Sequence, residues 1–290
     1  MLNTYIVEGG IGKCVAFSAI VDALAEKSGE QIQVHTPYHE VFGGNPQVKW
    51  VFDAASVPMN DPRIMGSANI EFCEPYKSNF IKGTEHLIES YCKLLGVTYD
   101  ENMRPKLYTD YAKEQAEALL KEAEIEGDYV VVQFTGGQPP MPQNIAGPYM
   151  SADPGRNYPH YLAQQVINKL VEENPERTVI HFGLPNEPMY ENTKRLDAPF
   201  PVWHEIIKGA EGFIGIDSSL NHMAASAKTP GVVVWGSTRF NQFGYPENVN
   251  MNFHMDGSWD ESKFNPADPR NPLVDPEKIV EAYNRRTKDD

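Results

Sequence analysis

The chain has 290 residues, of which 41% are hydrophobic, and 40 acidic against 25 basic residues give it a formal net charge of −15. That length allows one large domain or two medium ones, with enough apolar residues for a sizeable core. The negative balance argues against a passive binder of nucleic acid or of anionic membrane surfaces, and no apolar run approaches the ~20 residues of a membrane span.

Three cysteines, Cys14, Cys73 and Cys92, stand far apart with no C-x-x-C pair. They suggest reduced thiols in a cytoplasmic setting, not a zinc site or a disulfide frame. The first residues run straight into the apolar Tyr5-Ile6-Val7 without a basic, apolar leader, so no signal peptide is expected.

In chain order, Thr4 to Val7 reads as a strand and Glu8-Gly9-Gly10-Ile11-Gly12-Lys13 as a glycine-rich turn. Cys14 to Lys27 reads as an amphipathic helix with Val15, Ile20, Ala23 and Leu24 on one face, followed by a strand at Ile32-Gln33-Val34. The turn is not a phosphate loop. That motif needs Gly where Val7 stands and Ser or Thr where Cys14 stands. A further strand is expected at Val48 to Phe52, an irregular surface connection from Asn60 to Ser78, and helices at Thr84 to Leu95 and Asp110 to Glu124. Tyr129 to Phe134 begins a second cycle as a buried strand, followed by Thr135-Gly136-Gly137. A long Pro- and Gly-rich segment, Pro139 to Pro159, has the composition of a binding loop or lid. A helix from His160 to Asn174, a strand at Thr178 to Gly183 and a helix at Pro201 to Lys208 follow. Asp275-Pro276-Glu277 opens a last helix, with proline and acids in its first turn.

The stretch from Phe213 to Thr238 holds the clearest chemistry. Phe213 to Ile216 is a buried strand, Asp217-Ser218-Ser219 a polar turn, Leu220 to Ala227 a helix, Thr229-Pro230-Gly231 a break, and Val232 to Trp235 a second strand closed by Gly236-Ser237-Thr238. This is one βαβ unit with polar loops at the carboxyl ends of its strands, where open parallel sheets bind ligands. A helix start flanked by hydroxyls suits an anion such as a nucleotide diphosphate. Asp217 either accepts from a ribose or sugar hydroxyl or caps the helix. The alternating pattern gives an α/β fold of two Rossmann-like domains with a cleft between them. The domains are expected at 1–126 and 127–290, with a hinge near Glu124 to Asp128. The last helix either stays with the second domain or packs back on the first.

These residues resemble the donor-site signature of glycosyltransferase family nine, the ADP-heptose lipopolysaccharide heptosyltransferases and their relatives. The signature stands here as Asp217-Ser218-Ser219, His222, Ala224-Ala225, Thr229-Pro230, Val232 to Trp235 and Gly236-Ser237-Thr238. Ser219 replaces the family's Gly, and Ser237 its frequent Pro. Gly10-Ile11-Gly12 is similar to the family's first loop, Gly44-Asn45-Pro46-Gln47-Val48 to its approach to a strand, and Arg156-Asn157-Tyr158-Pro159 to its basic-x-aromatic-proline motif.

The resemblance implies a GT-B fold and metal-independent transfer from a nucleotide-sugar donor, with no cofactor. By the same likeness Arg156 clamps the diphosphate. Asp217, Ser218, Ser219 and His222 contact the donor, Gly12, Thr135 and Gly136 line its cleft, and Gly236 lets a backbone approach. His222 has packing as its alternative role. The family's acid after Gly12 is Lys13 here, so Lys13 is assigned to the leaving group and Glu8 to the acceptor proton. A glycan or lipopolysaccharide core is the expected acceptor. The alternatives are a hydroxymethylated base in viral DNA, or a nucleotide-sugar-binding protein without activity. An epimerase would need several cleft acids, which the sequence does not locate.

Overall fold

A computed structural model of the chain describes residues 2–136, 156–183, 187, 189–236, 238–252 and 275–288. Gly137, Ser237 and nearly all of Pro139 to Pro159 lie outside the described residues. In chain order the elements begin β1 (Asn3–Ile6), α1 (Ile11–Phe17), α2 (Val21–Ser28), β2 (Ile32–Thr36), β3 (Val48–Asp53), α3 (Pro62–Met65), β4 (Asn69–Phe72), α4 (Ser78–Ile81), α5 (Leu87–Leu95) and α6 (Lys113–Glu122). They continue with β5 (Tyr129–Val132), α7 (His160–Glu173), β6 (Thr178–His181), β7 (Lys194–Arg195), α8 (Phe200–Lys208), β8 (Gly212–Ile216), α9 (Ser219–Ala227), β9 (Gly231–Trp235), α10 (Phe240–Phe243), β10 (Val249–Asn252) and α11 (Pro276–Lys288).

Two parallel sheets result, one in the order β3-β2-β1-β4 and one in the order β10-β9-β8-β5-β6-β7. Each winds outward from its first strand in both directions. The order therefore reverses between β1 and β4 in the first sheet and between β5 and β8 in the second. At such a switch point the loops leaving neighbouring strands diverge and open a crevice.

Two apolar clusters hold these layers. One is continuous from the inner face of the first sheet (Tyr5, Val34), through α1, α2 and α5, to α8, α9 and one face of the second sheet (Val131, Phe213, Val233). The other lies on the opposite face, where Val130, Val132, Ile214 and Val234 meet α7 and α11. The last helix packs on α7 and across β8, β9 and β10. Polar ties cross between the layers. Arg104 donates to both oxygens of Glu247 at 2.8 and 2.9 Å, and Thr109 donates to Glu205 at 2.6 Å.

The structure departs from the sequence reading in local ways with physical causes. The first helix starts at Ile11, not Cys14, and narrows to a 3-10 turn over Ser18–Ile20 before resuming. There the Ser18 hydroxyl donates to the Val15 carbonyl at 2.7 Å and accepts from Lys106 N at 3.0 Å, the back-bonding that bends helices. Asn60 to Ser78, read as irregular, contains α3 and β4. The four residues of β4 are mostly exposed at a sheet edge, so no apolar run marks the strand. β7 and β10 were missed because two and four residues, largely half-buried, show no period.

Gly231 lets β9 lie flat against β8, since a Cβ there would overlap the Phe213 ring and carbonyl. Gly231→Ala is therefore expected to cost about 2–3 kcal/mol by overpacking, read as a lower urea midpoint. A wild-type midpoint would contradict this packing.

Candidate functional site

The two switch points face each other across a cleft of about 1330 Å³. The first sheet supplies Gly9 to Lys13 after β1, together with Tyr38, Tyr76 and Leu87. The second supplies Gln133 and Gly136 after β5, Arg156, and Asp217, Ser218, Ser219 and His222 after β8. α1 packs directly on α9. A Cβ on Gly12 would lie 3.2 Å from the His222 ring and 3.9 Å from the Ser219 Cα, so glycine permits the approach.

Arg156 is positioned by its neighbours. Asn157 accepts from Gly136 N at 2.9 Å, and Tyr158 is buried against Phe134, its N–H donating to the Phe134 carbonyl. Pro159 then starts α7. The Arg156 Nε lies 3.6 Å from Asp217 Oδ2. Ser218 occupies the N-cap of α9 but makes no capping side-chain bond. Its hydroxyl instead donates to Gln133 Oε1 at 2.5 Å. The start of α9 therefore presents its amides beside a guanidinium, the setting for an anion.

His222 both packs and faces the cleft. It is buried, and its Nδ1 lies 2.8 Å from the Tyr245 hydroxyl. Burial pushes its pKa down to about 3, with His86 and Arg156 adding to the shift. Burial thus favours the neutral ring, hydrogen-bonded to Tyr245.

On the opposite wall, Lys13 Nζ donates to Glu74 Oε2 at 2.9 Å and lies 4.4 Å from the centroid of the Tyr76 ring. Burial raises the Tyr76 phenol to about 12. The carboxylates of Asp217 and Glu74 push the same way, and Arg156 opposes them.

Of the residues singled out from the sequence, Gly12, Lys13, Gly136, Arg156, Asp217, Ser218, Ser219 and His222 come together here. Glu8, Thr135 and Gly236 stand at strand ends but are not among the cleft-lining residues. Glu8 is exposed, and Thr135 donates to Glu187 Oε2 at 2.7 Å. Sequence reasoning missed Gln133, Glu74, Tyr76, Glu187 and Arg195. Gln133, polar at the end of an apolar strand, was the readable signal. Arg195 donates to the Glu187 carbonyl at 2.9 Å and to His181 Nδ1 at 3.0 Å, a contact between separate strand ends that no spacing shows.

Residues 200–272 match the family model described as glycosyltransferase family 9 (heptosyltransferase), a span that includes β8, α9 and β9. Over the whole fold, the chain is similar to a family 9 glycosyl transferase from Veillonella parvula DSM 2008. The TM-score is 0.71 and the identity 11%, covering 99% of this chain and 97% of that one. It is similar also to E. coli ADP-heptose lps heptosyltransferase II, with TM-score 0.70, 13% identity and coverage of 100% and 99%. E. coli heptosyltransferase WaaC with ADP gives TM-score 0.60, 12% identity and coverage of 99% and 100%. No curated protein sequence matches the chain. The fold is the GT-B architecture of these glycosyltransferase structures. In the matched segment the chain resembles family 9, the heptosyltransferases.

Burial holds His86, His181 and His204 down to about 4, as it holds His222 near 3. Unfolded histidines bind protons near pH 6.5, so below that pH the unfolded chain takes up protons that the folded chain refuses. Stability is full above about pH 6.5 and is expected to fall as pH drops towards 4, by ~1.4 kcal/mol per pH unit for each group in its window. Urea unfolding at about pH 7.5 and pH 5 measures this. Equal stability at the two would contradict neutral burial.

Proposed function

We propose that the protein transfers a sugar from a nucleotide-sugar donor to an acceptor hydroxyl, with a glycan or lipopolysaccharide core as acceptor and no metal ion in the step. One observation carries the reading: Arg156 and the start of α9 meet Gly12 and Lys13 in a single cleft between two switch points.

A guanidinium binds a diphosphate through parallel hydrogen bonds. The amides and partial positive charge at the α9 start add to it, as does the hydroxyl of Ser219. Asp217, beside Arg156, accepts from a donor hydroxyl. Lys13 faces the same space from the first sheet. These groups meet the charge that develops on the departing diphosphate, the work a metal does elsewhere. A carboxylate at the first sheet's edge removes the acceptor proton. The free, buried cysteines support a reducing, cytoplasmic setting. One similar structure is that of WaaC with ADP, which makes ADP-sugars the first donors to try.

Nucleoside diphosphates and their sugars are expected to raise the melting temperature, because they bind only the folded chain. Arg156→Ala is expected to weaken donor binding roughly tenfold to a hundredfold, the worth of one or two charged hydrogen bonds. EDTA is expected to leave turnover unchanged. If no nucleoside diphosphate shifts the melting point, the donor assignment fails. Transfer to hydroxymethylated DNA in place of glycans would redirect the acceptor.

A further inference from the structure

The first sheet's switch point has its own chemistry. β1 and β4 run parallel with Ile6 opposite Phe72, so Glu8 and Glu74, each two residues further on, leave the same sheet edge side by side. Glu74 is held at both oxygens. Oε2 accepts from Lys13 Nζ at 2.9 Å, and Oε1 accepts from Tyr76 N at 3.1 Å. The two partners of this carboxylate, Lys13 and Tyr76, both line the cleft. Glu8 is exposed on the same edge and makes no hydrogen bond or ion pair among the described residues.

The pair is also oriented. The Lys13 side chain is 11% exposed and that of Glu74 60%. The ammonium is therefore the more buried end of the pair, while the carboxylate, which is not itself among the cleft-lining residues, is solvent-accessible beside the two that are. A carboxylate has about four lone-pair positions, so two accepted bonds leave room for an incoming hydroxyl.

Resting on the transferase reading above, we propose that Glu74 is the general base, with Lys13 as the residue that positions it. In the step, the acceptor hydroxyl passes its proton to Glu74 while its oxygen bonds to the anomeric carbon. The bond from that carbon to the phosphate oxygen breaks, and its electron pair leaves with the diphosphate, opposite Arg156. Glu74 then returns the proton to solvent.

The test uses the full chain, with ADP-heptose and a panel of UDP- and GDP-hexoses, reading both transfer to glycans and hydrolysis. Glu74→Gln is expected to lower kcat roughly 10²–10⁴-fold with donor affinity by calorimetry and melting temperature unchanged. It is also expected to remove the acidic limb of the pH profile of kcat/KM. Formate is expected to restore part of the activity of Glu74→Ala, which a merely structural role would not allow. Normal turnover in Glu74→Gln, or a larger loss in Glu8→Gln, overturns the assignment while the transferase reading stands. A wild type that turns over no donor fails that reading and this assignment with it.

Discussion

The close approach of α1 to α9 is the constraint on which the rest of the molecule depends. Gly12 faces the His222 ring and the Ser219 backbone with no side chain between them. Because each helix begins at a switch point of its own sheet, packing them together brings two crevices into one cleft. The continuous apolar cluster beneath them, running from Tyr5 and Val34 to Phe213 and Val233, keeps the two sheets at that spacing. Burial of this kind is non-directional. The polar ties Arg104–Glu247 and Thr109–Glu205 add the directions.

The electrostatics of the cleft follow the same plan. The protein carries a large negative charge, yet cations line both cleft walls, and each of these two has an acid beside it. Arg156 lies by Asp217 on the donor wall, and Lys13 by Glu74 on the other. A charge that must stay put in a partly buried site needs such a partner. His222, neutral through burial, adds a hydrogen-bonding edge without adding charge.

Much of this was legible from the chain alone. The Asp217–Ser219 turn between a buried strand and a small-residue helix was readable as a polar loop at a sheet edge, and it lines the cleft, because strand, cap and break residues are local signals with local causes. Arg156 was legible only through resemblance, in the motif it forms with Tyr158 and Pro159, which here anchor the loop end and start α7. The exposed edge strand β4 was not legible. Its residues are stabilised by pairing with β1, a contact separated by more than sixty positions in the register Asn3 to Asn69. With β4 unseen, Glu74 had no reason to be placed beside Lys13.

The sequence by itself determined the alternation of strands and helices and the polar loops at strand ends, since these follow from periodicity, caps and turn residues. Only the tertiary structure decided which loops share a cleft. It put Glu74 and Tyr76 with Lys13, tied Ser218 to Gln133 instead of to its own helix, and drew Thr135 to Glu187. The physical reason is that these partners are chosen by how strands order in the sheets and how helices pack across them, and both are set by contacts between residues far apart in the chain.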